Sequence, residues 1–191
     1  MWAVRNQNEG IVKLLLEKGA NPESKDKNGN TPLMWAVRDE NEDIVKLLLE
    51  KGADPKSEDK NDSTLMISAV MCNDEGIVKL LLERGADFES ENENGSTPLT
   101  WAIWNQNEDI IKLLLERGTD LDSKDKKGKI PLIWAVKVGN EGIVKLLLEK
   151  GADSESKDKN GETPLICAIR NKNEGIVKLL LERGADFEIE K

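Results

Sequence analysis

The 191-residue chain has no histidine and no tyrosine, and only two cysteines, two phenylalanines and six prolines. Without histidine there is no Ser-His-Asp or Cys-His nucleophilic site and no imidazole ligand for a metal. Two cysteines in a chain of this length make no disulfide framework. No stretch approaches the roughly 18 consecutive apolar residues of a membrane span, and the opening MWAVRNQNEG lacks the apolar run of a signal peptide. Basic residues are in the minority, 28 Lys and Arg against 37 Asp and Glu. A net charge of -9 argues against a general nucleic-acid binder, whose footprint is basic. These absences predict a soluble, acidic protein of the cytoplasm that engages neither nucleic acid nor membrane. Length alone allows one or two globular domains.

What the chain does have is a period. Gly-Ala or Gly-Thr begins at Gly19, Gly52, Gly85, Gly118, Gly151 and Gly184, always 33 residues apart. Counting from the loop position of Asp26 gives units 26–58, 59–91, 92–124, 125–157 and 158–190, preceded by a partial unit 1–25. Met1-Trp2-Ala3-Val4 is in register with Met34-Trp35-Ala36-Val37. The period predicts a single array over 1–191 rather than two unrelated domains.

Each unit reads alike. In 26–58, Asn28-Gly29 signals a turn, Thr31 supplies an N-cap and Pro32 fits the first helical position, where its missing amide would go unused. A short helix is predicted through about Arg38. Asn41 then caps a second helix, with Glu42 and Asp43 at its positive end and Gly52 able to take the left-handed conformation that stops it. Helices this short do not stand alone in water. They must stack on their neighbours, so stability is close to a sum of repeat and interface contributions.

The pattern Gly-x-Thr-Pro-Leu, then Ala, then Ile-Val-x-Leu-Leu-Leu-x-x-Gly-Ala-Asp on a 33-residue period resembles the ankyrin repeat, and it covers essentially the whole chain. The resemblance implies an all-α solenoid: a β-turn and two antiparallel helices per unit. It also implies a concave face of turn tips and first helices that binds another protein. One departure is systematic. The histidine usual after Thr-Pro-Leu in that family is replaced by Met34, Ile67, Thr100, Ile133 and Ile166. Apolar contact must stand in for the polar pairing this residue makes between repeats.

Catalytic and cofactor signals are missing. No Gly-x-Gly-x-x-Gly or P-loop occurs. The run Ser156-Lys157-Asp158-Lys159-Asn160-Gly161 imitates the start of a calcium loop, but it begins on serine and places Cys167 where the bidentate glutamate belongs. Cys72 and Cys167 lie three units apart, too far to bridge. The glycosylation tripeptides at Asn61 and Asn94 read as chance products of Asn-rich turns. Glu42, Lys46 and Glu50, spaced four apart and recurring at 75, 79, 83 and at 141, 145, 149, are helix-supporting pairs and not a carboxylate dyad. No cofactor or metal is predicted, and no enzymatic activity.

Trp2, Trp35, Trp101 and Trp134 share one repeat position, that of a buried leucine in the ankyrin pattern, and are expected to form a row of core indoles. Unit 59–91 has Ser68 there, along with Asp62 for the turn glycine and Leu65 for the proline, which marks it as the weak unit. In unit 125–157, Ile130 replaces the capping threonine.

Specificity should reside where copies differ: the turn tip and the exposed side of the first helix. At the positions of Lys27, Asn28, Asn30, Arg38 and Asp39 the copies together carry ten basic residues and three acidic ones, a local +7 that leaves −16 for the rest. Near the centre, Met71, Cys72, Trp104 and Val138 bring apolar side chains to these positions, rimmed by Arg38, Lys137 and Arg170, with Lys127 and Lys129 on a turn tip. Trp104 occupies a position that is otherwise mostly Arg or Lys, and so is expected to be exposed. The reading is a non-catalytic protein-interaction scaffold for a protein or peptide with an apolar anchor among acidic residues. The alternatives are an ankyrin targeting or regulatory segment of a larger enzyme, channel or effector, or an engineered scaffold. Neither end shows a polar capping repeat, so the ends are expected to pack on further repeats or to self-associate.

Overall fold

In the computed structural model, residues 1–58 and 64–187 are described. Asp62, Lys60 and the tripeptide at Asn61 lie outside them. The chain forms two compact units, Met1–Glu93 and Asn94–Lys191. The first holds α1 (Trp2–Arg5), α2 (Glu9–Glu17), α3 (Pro32–Arg38), α4 (Glu42–Glu50), α5 (Leu65–Cys72) and α6 (Glu75–Glu83). The second holds α7 (Pro98–Trp104), α8 (Glu108–Glu116), α9 (Pro131–Val138), α10 (Glu141–Glu149), α11 (Pro164–Arg170) and α12 (Glu174–Glu182). Odd and even helices pair within each repeat, and in the first unit α1, α3 and α5 stack in sequence, as do α2, α4 and α6. In the second unit α9 packs on both α7 and α11, and α10 on α12.

The local signals account for these boundaries. Thr31, Thr64, Thr97 and Thr163 each accept the amide three residues on at 3.2–3.4 Å, relieving one of the orphan donors at a helix start. Ile130 makes no such bond. Every even helix is capped by Asn8, Asn41, Asp74, Asn107, Asn140 or Asn173, whose side chain accepts the third amide at 2.9–3.1 Å. The link from odd to even helix needs one left-handed residue. Glycine fills it only at Gly139, while Gln7, Glu40, Asn73, Gln106 and Lys172 take φ of 51–62° in the other repeats.

Three of the turn tips are each built around one carboxylate. Asp26 Oδ1 accepts the amides of Asn28 and Asn30 at 2.8 and 2.9 Å, and Asp125 and Asp158 do the same two and four residues on. Tips in the second unit touch: the Lys159 amide donates to the Lys127 carbonyl at 3.2 Å. A Cβ at Gly128 would stand 2.9 Å from that Lys159 nitrogen, so the approach requires glycine.

The core consists of the aliphatic positions of the pattern. Ile44, Val45, Leu48 and Leu49 are buried on α4, and Ile143, Val144, Leu147 and Leu148 on α10. Met34, Ile67, Thr100 and Ile133, at the position of the missing histidine, are buried as well. Met34 still serves a polar group there, its Sδ accepting the Thr31 amide at 3.4 Å.

The row of core indoles is not found. Trp2 is 76% exposed, and Trp35, Trp101 and Trp134 are half-buried. For two of them the turn carboxylate explains this: Trp35 Nε1 donates to Asp26 Oδ2 at 3.1 Å and Trp134 Nε1 to Asp125 Oδ2 at 3.2 Å. These two rings are drawn toward the tips instead of the helix-packing core. Ser68 therefore leaves no core void of indole size, and Leu65 and Met66 beside it are fully buried. Cys72 and Cys167 are both free thiols.

Candidate protein-binding face

Arg38, Met71 and Cys72 belong to the first unit. There Met71, on α5, is 51% exposed and occupies the repeat position that Arg38 holds on the adjacent α3. Arg38 is exposed, donates from Nη1 to Asn30 Oδ1 at 2.9 Å, and lies 5.9 Å from the Trp35 ring centre. Arg5 stands closer to the same ring, at 4.5 Å, and 5.6 Å from Trp2. Two guanidiniums on one indole make a cationic–aromatic strip of a kind worth about 0.5–1 kcal/mol per contact when exposed. Cys72 is half-buried, and its thiol pKa is raised by burial first and by Glu40 and Asp74 next. It stays protonated at neutral pH and behaves as a small apolar group.

The other proposed contacts belong to the second unit. Trp104 is half-buried, not the lone exposed aromatic that its repeat position predicted. Neighbouring indoles take it in. It meets Trp101 edge-on at 4.7 Å and Trp134 edge-on at 5.0 Å, a geometry that favours the ring quadrupoles. Replacing Arg or Lys by Trp at that position placed it within reach of two tryptophans, Trp101 of its own repeat and Trp134 of the next, which a position-by-position reading does not register. The buried Nε1 atoms of Trp101 and Trp104 have no hydrogen-bond partner among the described residues. Lys137 is exposed, with Nζ 5.7 Å from the Trp134 ring centre. Val138 is half-buried next to it and Lys127 is exposed on the tip.

Lys129, expected on the displayed turn tip, is instead buried: Nζ donates to Asp158 Oδ2 at 2.8 Å, and Asp158 is itself buried. The hydrogen bond to Asp158 raises the Lys129 pKa. Burial would raise that of Asp158, but Lys129 and the amides of Glu162 and Asn160 outweigh it and hold the carboxyl low. At the same tip position Asn30 and Ser96 are buried too. Arg170 is exposed and paired with Glu162, so two of the ten basic residues counted above are neutralised. Beside them Cys167 is buried, its thiol pushed up to about 11 by burial and by Glu162. The face thus offers Lys127, Lys137 and the exposed edges of three indoles in the second unit, and Arg38 and Met71 in the first. The carboxylates of Asp26 and Asp125, absent from the sequence-based set, orient the indoles. Their signal was the recurrence of Asp nine residues before Trp.

No helix among the described residues is long and apolar enough to cross a membrane. The sequence matches the family of ankyrin repeats over residues 1–59, 52–125 and 118–191. No curated protein matches it. The crystal structure of the ankyrin repeat domain of Bcl-3, described as a unique member of the IkappaB protein family, is similar to it, with a TM-score of 0.88 and 30% identity over 99% of this chain and 87% of that one. Arrays of this fold generally serve as protein–protein interaction modules. With the helix pairs, turn tips and profile match in agreement along its length, the chain belongs to the ankyrin repeat family.

Proposed function

We propose that the protein is a non-catalytic scaffold whose turn-tip and first-helix face binds a protein or peptide carrying an apolar anchor flanked by acidic residues. The observation that carries this is the indole cluster of Trp101, Trp104 and Trp134. Large aromatic surface, partly open, with Lys137 beside it and Lys127 exposed on a turn tip, is the composition of binding hot spots. Lysine charge on the rim favours a partner with carboxylates around its anchor, since rim charges steer association and reject like-charged competitors. Met71 and Arg38 offer a comparable pairing of apolar and cationic groups in the first unit.

A displayed library of random peptides selected on the immobilised protein tests the reading. Enriched sequences should combine an aromatic or aliphatic residue with flanking Asp or Glu. Binding of those peptides should fall at least tenfold in the Trp104→Ala, Met71→Ala double variant with its helical signal unchanged. Enrichment of basic peptides, or undiminished binding by the folded variant, would refute it.

A further inference from the structure

The terminal repeats leave open what the inner ones bury. Ile11 and Leu15 on α2 are 48% and 47% exposed, while their counterparts Ile44 and Leu48, and Ile143 and Leu147, are fully buried. At the other end Ile169 and Leu181 are 51% and 43% exposed, whereas Val37 and Leu49, and Val136 and Leu148, are buried. Ile169, Val177 and Leu181 line an open apolar groove of about 600 Å³ between α11 and α12.

Polar groups define what fits that groove. Besides the aliphatic packing and the turn and loop bonds, four contacts join the helix ends of repeat 158–190 to repeat 125–157. Asn171 Nδ2 donates to the Val136 carbonyl at 3.3 Å, and Asn173 Nδ2 to the Gly139 carbonyl at 3.5 Å. Arg183 pairs with Glu149 at 3.7 Å. The Glu141 carboxylate fills the space a Cβ at Gly175 would need, as Glu108 does over Gly142. The first repeat carries the same set: Asn6, Asn8, Lys18 and Gly10 stand where Asn171, Asn173, Arg183 and Gly175 stand, and Trp2–Ala20 matches Cys167–Ala185 at 15 of 19 positions. The last repeat carries the receptors for that set, namely the carbonyls of Ile169 and Lys172 with Glu182 and Glu174. A Cβ at Gly10 would meet no side chain within 4 Å but that of its own Asn8.

We propose that the C-terminal face of one copy takes the N-terminal repeat of a second copy and continues the repeat stack head to tail. Ile11 and Leu15 of the incoming copy cover Ile169, Val177 and Leu181, Asn6 and Asn8 donate to the carbonyls of Ile169 and Lys172, Lys18 meets Glu182, and Glu174 seats over Gly10. The contact is heterologous, so each added copy presents the same open end.

Sedimentation velocity of the 191-residue chain over a concentration series is the test. The weight-average mass should rise with concentration. Leu181→Glu blocks the C-terminal face and Ile11→Glu the N-terminal one, each at an exposed position, so each variant alone should be monomeric. Mixed, they should form a 1:1 dimer and nothing larger, through the one intact face of each. Charge reversal gives a second route at exposed positions: Lys18→Glu or Glu182→Lys alone should weaken association several-fold, and mixing the two should restore it. A monomer at every concentration assigns the face to another occupant and overturns the proposal. So does association abolished by only one of the two blocking variants, which is the mark of a symmetric pair, or by neither.

Discussion

Lys129 and Asp158 show how one pair of residues can be misread from sequence and still dominate a local fold. An ammonium in a turn reads as surface charge. Here Asp158 is buried while it organises its own turn amides, and Lys129 from the preceding repeat supplies the compensating charge. Removing one partner of a buried pair leaves an uncompensated charge, so Lys129→Met should destabilise the protein by about 3 kcal/mol in urea denaturation at neutral pH. The pH dependence follows from the shifts. Asp158 is held below the ordinary 3.8, so its contribution is complete above that value and lost as pH falls through the lowered pKa. Lys129 is held above 10.5, so its contribution is complete below that value and lost as pH rises through the raised pKa. The gap between wild type and variant should be flat across the neutral range and should close in strong acid and in strong alkali. The indoles allow a second comparison. Trp134→Phe breaks the bond to Asp125, whereas Trp101→Phe removes a donor that has no acceptor among the described residues. Trp134→Phe should therefore cost about 1 kcal/mol more than Trp101→Phe by the same measurement.

Caps and connectors decide stability among the helices. Four of the five first helices that start on a full turn are capped by threonine, and the fifth starts on Ile130 with its third amide uncapped. The threonines at this position are buried, as Ile130 is, so the site accepts the smaller polar side chain without new exposure. Ile130→Thr should add about 1 kcal/mol, read as a higher urea midpoint with unchanged slope. The elements were the most legible feature of this sequence. Thr-Pro and Asn-Glu mark helix starts, and a 33-residue spacing fixes which segments repeat, because capping chemistry is local and declared by one or two residues. The indoles were not legible in that way. Their placement depends on Asp26 and Asp125 nine residues away in the same repeat, and Trp104 is placed by tryptophans of its own and the next repeat. Position-wise comparison of copies assumes that each position keeps one environment. It fails where a large side chain finds a partner that the other copies lack.

Over the whole molecule, burial is distributed by rank in the sequence of repeats. Helices α4 and α10 each bury four aliphatic side chains, whereas α2 buries only Val12 and α12 only Ile176 and Leu180. The amino-acid pattern is nearly the same in all of them, so local propensity is the same, and stability differs through neighbours alone. A buried aliphatic side chain contributes about 1.5–3 kcal/mol relative to an exposed one. Two missing contributions of that size should place local opening of α2 and α12 at least about 3 kcal/mol below that of α4 and α10, a factor of about 100 in the open population. Amide hydrogen exchange in dilute solution measures this helix by helix. The amides of Leu14–Leu16 and Leu179–Leu181 should exchange at least about 100-fold faster than those of Leu47–Leu49 and Leu146–Leu148. Uniform protection along the chain would mean that the terminal helices draw their stability from something other than stacked neighbours. A gradient steep at both ends and flat between them is what nearest-neighbour stacking requires, because the sequences of α2, α6, α10 and α12 are identical and only their surroundings differ.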